Sequence, residues 1–321
     1  MRRNRDLLDI IFMGTPDFAI PILDAVWESG NNIIGVVTQP DRPRGRGKRL
    51  KFSPVKKWAV DRDIDVYQPQ NINVPESVEL LSSLKPDLII TAAFGQIVSK
   101  SILNIPPLGC INVHASILPK YRGASPIQQA IIDGEDETGI TIMYMDEGMD
   151  TGDIILQRYT SIDPEENAES LHDRLAVLGG KAIAEALELF EEGRPEGIPQ
   201  DNDMATYCSK IDKSWGEIDW NKTKLELKNF VRGLTPLPGC FTFCQGERLT
   251  IWEIEIMEKQ SYDSNSAPGE VIVSDEKEGL IVLCGDGLIR LTCIQGPGGK
   301  AMRDVEYLRG HSIPVGIRLG I

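Results

Sequence analysis

Asn112 and His114 stand two residues apart in the apolar run GCINVHA. On an extended strand such residues share one side, while Ile111 and Val113 share the other. The chain holds only three histidines. An asparagine amide is a neutral hydrogen-bond donor, and an imidazole changes protonation near neutral pH, so the pair suits polarising an oxygen and moving a proton. For an isolated Asn-x-His the blander reading prevails: a satisfied core histidine and a strand-end asparagine. A second polar cluster shifts the balance. MYMDEGMDTGDII follows another apolar strand, Gly139 to Tyr144, and brings Asp146, Asp150 and Asp153. Such a loop is also a candidate metal site, but it lacks the calcium-loop register and further matching ligands, so no metal is expected. An aspartate that orients the histidine fits better, and Asp150 is the choice.

These residues need a frame. LLDIIFMG, NNIIGVVTQ, IDVYQ, DLIITAAFG and GCINVHA read as strands, several apolar on both faces, as in a parallel sheet covered by helices. Alternation with helical patterns over the first 190 or so residues indicates a doubly wound, mostly parallel α/β sheet. Ligands of such sheets bind beyond the C-terminal ends of the strands, where GCINVHA would deliver His114. After the first strand, GTPDFAIPILDAVWESG offers Thr15 as N-cap, Pro16 as first helical residue and Gly30 as stop. Only Gly14 occupies that turn, so the dinucleotide fingerprint is missing and a nicotinamide cofactor is not expected. ESLHDRLAVLGGKAIAEALELFEEG has apolar residues at helical spacing and ends at Gly193, with His172 read as a surface or capping residue.

At 321 residues, 41% hydrophobic and 26% charged, the chain has the balance of a globular protein of two domains. No apolar run approaches the roughly 20 residues that cross a membrane. Basic residues precede a short apolar run at the N-terminus, but Asp9 interrupts it and no cleavage site follows, so a cytoplasmic location is expected. The six cysteines are scattered, and reduced thiols are expected. Residues 1–193 are read as the α/β domain, 194–212 as a linker rich in Pro, Gly, Asn and Asp, and 213–321 as a second domain. There RLTIWEIEIM alternates, with Leu249, Ile251, Glu253 and Glu255 on one face. EVIVSD and GLIVLCGDGLIRLTCIQ follow, the latter with a hairpin turn at Asp286–Gly287. Short strands at this density suggest a small β-barrel of OB-like type.

GTPDFA, TQPDRPRGRGK, SPVK, CINVHASILPKYRGASPI, DEGMDTGDI and IDW together resemble the methionyl-tRNA formyltransferases, within the formyltetrahydrofolate-dependent formyltransferase family, and the likeness runs through both domains. The resemblance implies a Rossmann-like catalytic domain, 10-formyltetrahydrofolate as formyl donor, and initiator methionyl-tRNA as acceptor. It implies Asn112, His114 and Asp150 as the catalytic trio, and Ser116, Ile117, Leu118 and Pro119 as the folate-binding tetrapeptide. Family members commonly have Leu at the second tetrapeptide position; Ile117 here is a volume-conserving change that should matter little. For the pterin, AAFGQIVSK is the second place to look: Gly95 would admit a flat heterocycle, and Phe94 and Ile97 would line an apolar slot. The competing reading there is a strand followed by an ordinary turn.

The net charge of −14 argues against a surface coated in nucleic acid. QPDRPRGRGKRLKFSPVKK is the exception, with Arg42, Arg44, Arg46, Lys48 and Arg49 in a loop broken by Gly and Pro. Charge runs are usually solvated faces. Directly after a strand whose C-terminal end faces the site, this one could instead hold acceptor-stem phosphates, and the resemblance implies that Arg46 lies in the tRNA-sensing loop. Lys222, Lys224, Lys228, Arg232 and Lys300 are further expected tRNA contacts, by analogy alone. A monomer is expected. The alternatives are a formyl-folate enzyme acting on a small amine, which has no need of the basic loop, and a non-catalytic RNA-binding protein.

Overall fold

The structure is a computed structural model describing residues 7–44, 49–258 and 263–320. The chain divides into two compact units. The first comprises residues up to Pro126, Glu137–Ser161 and His172–Cys208; the second comprises Ile127–Asp136, Ile162–Leu171 and Ser209 onward.

In chain order the elements of the first part are β1 (Asp9–Gly14), α1 (Ala19–Glu28), β2 (Asn32–Val37), β3 (Arg42–Arg44), β4 (Arg49–Lys51), α2 (Pro54–Val60), β5 (Val66–Tyr67), α3 (Pro75–Ser83), β6 (Leu88–Ala92), α4 (Lys100–Leu103), β7 (Cys110–His114), β8 (Arg122–Gly123), α5 (Pro126–Ile132), β9 (Glu137–Tyr144), β10 (Ile154–Ser161), α6 (Ala168–Phe190) and β11 (Tyr207–Cys208). Seven strands form one sheet in the order β10-β9-β7-β6-β1-β2-β5. β7, β6, β1, β2 and β5 run parallel, and β9 is antiparallel to both β7 and β10. The sheet is therefore mostly parallel and doubly wound, as expected. Central strands are apolar on both faces because both are covered: Ile10, Ile11, Phe12, Met13, Leu88, Ile89 and Ile90 are fully buried. After β5 the chain returns to the other side of β1 to lay down β6 and β7, so the order reverses beside β1, and the C-terminal ends of β1, β6 and β7 open there.

Two local expectations are corrected here. Thr15 does not cap the first helix: α1 begins at Ala19, with Phe18 at the N-cap position and no side-chain cap. The Thr15 hydroxyl instead donates to the Phe94 carbonyl at 3.1 Å and accepts from Gln39 N–H at 3.3 Å, so it ties three strand ends together. The stretch 194–212 is not one linker. Up to Cys208 it groups with the first unit, where β11 pairs parallel with β8; from Ser209 it groups with the second. Its composition resembles a tether because its residues make irregular side-chain hydrogen bonds rather than a periodic apolar face.

The second unit adds α7 (Lys224–Leu234), β12 (Cys240–Cys244), β13 (Glu247–Ile256), β14 (Val271–Asp275), β15 (Gly279–Cys284), β16 (Gly287–Gln295), β17 (Met302–Arg303) and α8 (Asp304–Leu308). Helix α7 starts with a capping box in which the Thr223 hydroxyl accepts from Glu226 N–H and the Glu226 carboxylate accepts from Thr223 N–H. The strands form an antiparallel sheet, β12-β13-β16-β15-β14, with β17 also on β16. This is the expected antiparallel β domain, and an OB-like barrel is compatible with it. Among the described residues no pairing of β12 with β14 closes the sheet. Simple alternation fails in β13: register shifts around Glu253 turn Leu249, Ile251 and Ile254 inward and leave Glu253 and Glu255 outside. A bulge of this kind changes the phase of a strand and bends it. The β15–β16 turn consists of Gly285 and Asp286, one residue earlier than expected, because Cys284 pairs with Gly287. No cysteine is disulfide-bonded.

Asp304, fully buried at the start of α8, accepts from Leu280 N–H at 3.0 Å and from Arg290 Nε at 2.7 Å and Nη2 at 3.0 Å. Burial alone would raise its pKa, but the Arg290 and backbone donors prevail and hold it below the ordinary carboxylate value. Gly279 lies against this pair with φ +89°, and a Cβ there would sit 1.9 Å from Asp304 Oδ2. Gly279→Ala should therefore lower stability by about 1–3 kcal/mol in urea unfolding. Because the folded pKa of Asp304 is depressed, its contribution is present above the unfolded carboxylate pKa and is lost as pH falls through the folded value. The stability gap between wild type and Asp304→Asn should accordingly shrink in acid, and a gap that stayed constant with pH would contradict this account.

Candidate active site

β7 ends at His114, which is 6% exposed. Its Nε2 lies 3.0 Å from the carbonyl oxygen of Tyr121. A carbonyl only accepts, so Nε2 carries the proton in this arrangement. That leaves Nδ1 as the nitrogen open to exchange, and it faces Asp150 Oδ1 at 3.7 Å. This separation is longer than a direct hydrogen bond. The other carboxylate oxygen of Asp150, whose side chain is 17% exposed, accepts from Gly123 N–H at 2.8 Å. Asp150 itself adopts φ +55° and Tyr121 φ +61°, left-handed conformations that non-glycine residues hold only when surrounding contacts enforce them.

Two residues before His114, on the same side of β7, the Asn112 Oδ1 accepts from the Thr91 hydroxyl at 2.7 Å. Thr91 is the cross-strand partner of Asn112 on β6. With the carbonyl end of the amide held, the Nδ2 group is the end left to donate, and it has no hydrogen-bond partner among the described residues.

Beyond His114 the chain folds back over the strand end. Thr141 on β9, the cross-strand partner of His114, donates to the Ser116 carbonyl at 2.7 Å and accepts from Leu118 N–H at 3.1 Å. Gln157 on β10 donates to the Leu118 carbonyl at 2.9 Å. The Leu118–Pro119 peptide is cis. Ser116 and Leu118 point inward and are buried; Ile117 and Pro119 are half-buried and form the outer edge of the segment.

Phe94, Gly95 and Ile97 do not form a common apolar slot. Phe94 is 4% exposed and packs in the core with Ile11, Met13 and Ile89. Ile97 is 77% exposed, and Gly95, with φ +85°, is also at the surface. Adjacent residues of this turn face opposite ways, which the sequence pattern did not reveal. The Phe94 carbonyl accepts from Thr15 and from Gln39 Nε2 at 3.2 Å, which ties this turn to the ends of β1 and β2.

The described part of the basic stretch pairs as two short antiparallel strands. Arg42, Pro43 and Arg44 pair antiparallel with Lys51, Leu50 and Arg49. Arg46 and Lys48 lie outside the described residues. The root is fixed by Lys56 Nζ, 2.5 Å from Asp41 and 2.7 Å from Gln68 Oε1, with Gln68 Nε2 returning to Asp41 at 3.0 Å. The Lys56 hydrogen bond, helped by Gln68, holds the Asp41 carboxyl below its ordinary pKa. In the second unit, three of the expected tRNA contacts are already engaged. Lys222 pairs with Glu226 at 3.2 Å, Lys228 pairs with Glu165, and Arg232 donates to the carbonyls of Asp163 and Glu166. His172 lies beside Asp173 at 2.9 Å, away from this chemistry.

Sequence reasoning missed Thr91, Thr141, Gln157, Arg122 and Gln200, all of which act through side-chain hydrogen bonds. Arg122 stood in a motif quoted for the family resemblance, and Thr91 and Thr141 in strands read from the sequence, but none of the five was singled out.

The formyl transferase family model matches residues 8–187, and its C-terminal-domain companion matches 210–312. The chain is 47% identical over 308 residues to the methionyl-tRNA formyltransferase of Caldanaerobacter subterraneus subsp. tengcongensis, covering 96% of this chain and 98% of the relative. It is 46% identical to that of Ruminiclostridium cellulolyticum, covering 98% and 100%. Among solved structures, an N-formyltransferase from Helicobacter canadensis in complex with folinic acid and dTDP-3-aminofucose superposes with TM-score 0.64 at 19% identity, covering 91% of this chain and all of that one. HypX from Aquifex aeolicus in complex with tetrahydrofolic acid gives 0.61 at 18%, covering 94% and 47%. At such identities these two speak to the fold. The near-full-length sequence identity and the two matched domains decide the family: this chain is a member of the methionyl-tRNA formyltransferases.

Proposed function

We propose that the protein transfers the formyl group of 10-formyltetrahydrofolate to the α-amino group of initiator methionyl-tRNA, giving N-formylmethionyl-tRNA for translation initiation in the cytoplasm, and that it acts as a monomer. The observation that carries the chemistry is the commitment of His114 Nε2 to the Tyr121 carbonyl, which leaves Nδ1 facing Asp150.

The methionyl nitrogen attacks the formyl carbon, and the carbonyl electron pair moves onto oxygen. Asn112 Nδ2, turned outward by Thr91, donates to that developing oxyanion. The attacking nitrogen becomes cationic and must lose a proton, while N10 of the folate must gain one as the C–N10 bond breaks. His114 Nδ1 is the group that moves the proton, and the carboxylate opposite stabilises the imidazolium formed in between. The 3.7 Å separation leaves the ring free to meet a reacting atom or a water before it pairs with Asp150. Ile117 and Pro119, the outward edge of the pinned segment, support the folate. Arg42, Arg44, Arg46, Lys48 and Arg49 contact the acceptor stem.

His114→Ala and Asp150→Asn should each lower kcat by about 10²- to 10⁴-fold in transfer from 10-formyltetrahydrofolate to charged initiator tRNA. Near-normal turnover in both would refute the assignment. Arg46→Ala should lower kcat/KM for charged initiator tRNA by about tenfold or more, as loss of a charge-assisted contact would. Tetrahydrofolate affinity should be unchanged. An equal loss with a small amine acceptor would contradict a tRNA-reading role for this stretch.

A further inference from the structure

We propose that Arg122 and Gln200 are positioning residues that lock Asp150 in its strained backbone conformation opposite His114. The proposal rests on the reading of Asp150 given above.

Arg122 follows Tyr121 directly and is 1% exposed, the largest of the fully buried side chains. Its guanidinium places Nε and Nη2 on Gln200 Oε1 at 3.1 and 2.8 Å, and Nη2 also reaches Asn202 Oδ1 at 2.8 Å. Two donors on one oxygen fix which way the Gln200 amide points. Its Nε2 is then directed to the carbonyls of Asp150 at 2.9 Å and Gly152 at 2.7 Å. One is the carbonyl of Asp150 itself, which takes φ +55°, and the other lies two residues on. A left-handed aspartate persists only where neighbours over-determine it, and here the main chain is gripped at and just after Asp150 while Oδ2 is held by Gly123 N–H. Gly123 must be glycine, because a Cβ there would lie 2.2 Å from the Cys208 carbonyl.

These contacts close a circuit. His114 Nε2 bonds to the Tyr121 carbonyl, Tyr121 is joined covalently to Arg122, Arg122 grips Gln200, Gln200 holds the backbone of Asp150, and Asp150 Oδ1 faces His114 Nδ1. The ring and its carboxylate are thus both referenced to residues 121–123.

Gln200→Glu separates positioning from folding. A glutamate still accepts from Arg122, with a stronger charge-assisted pair, but cannot donate to the two carbonyls. We expect kcat for formyl transfer to charged initiator tRNA to fall roughly ten- to a hundred-fold, as for a misplacement of about 1 Å. KM for both substrates should stay within about twofold and the melting temperature close to wild type, and in an Asp150→Asn background the same change should have almost no further effect. Gln200→Ala provides the same comparison if the glutamate variant does not fold. Wild-type kcat in Gln200→Glu beside a disabled Asp150→Asn overturns the positioning role and leaves the proposed function standing. Equal fold-losses with and without Asp150 also overturn it. If Asp150→Asn itself turns over normally, the role of Asp150 falls, and the positioning role with it.

Discussion

The hydrogen bond from His114 Nε2 to the Tyr121 carbonyl decides which nitrogen of the imidazole is left to face Asp150. It exists only because the chain doubles back at once after β7, bringing residue 121 over residue 114. That reversal is held at three levels. Thr141 and Gln157 pin its start to the neighbouring strands, left-handed Tyr121 makes its bend, and β8 is fastened by β11. A parallel strand end would otherwise offer unpaired backbone groups to solvent. Here the main chain of Ser116, Leu118, Tyr121 and Arg122 is paired within the protein, which fixes the donor and acceptor pattern of the segment.

Charge is arranged on a different plan. The site uses one imidazole, one carboxylate and neutral amides, while the cationic stretch sits apart on β3 and β4 in a chain of strongly acidic balance. The Asp41–Lys56–Gln68 cluster fixes the root of that stretch without adding net charge from its ion pair. Attraction for a polyanion would then depend on ionic strength, whereas the buried His114–Asp150 pair is little screened. In the second unit, Lys222, Lys228, Arg290 and Arg309 are each paired with a carboxylate of the same unit.

What could be read in the sequence follows the range of each signal. The strands of the sheet were legible from two-sided apolar runs, and the common side of Asn112 and His114 from the period of two, because both depend on near neighbours. Thr15 was misread as a cap because its true partner, Phe94, is 79 residues away. The phase change at Glu253 was missed because a bulge is set by the facing strand. Phe94 and Ile97 looked equivalent as apolar residues of one turn, but only backbone direction tells which is inside. Gln200 was least visible of all: a glutamine between Pro and Asp has the composition of a tether, and its hydrogen bonds involve residues 48 to 78 positions away.

The placement of Gln200 also bears on how the protein can be dissected. Composition changes at Gly193, and the helical pattern stops there, which invites a cut. A fragment ended at that point would retain every strand of the large sheet together with Asn112, His114 and Asp150. It would lack Gln200, Asn202 and Tyr207, stranding a buried guanidinium, and it would strip β8 of its partner strand. A fragment extended through Cys208 keeps them. The smallest self-consistent piece of the first unit therefore ends eighteen residues beyond α6, because an isolated buried cation is among the least tolerable defects in a protein interior.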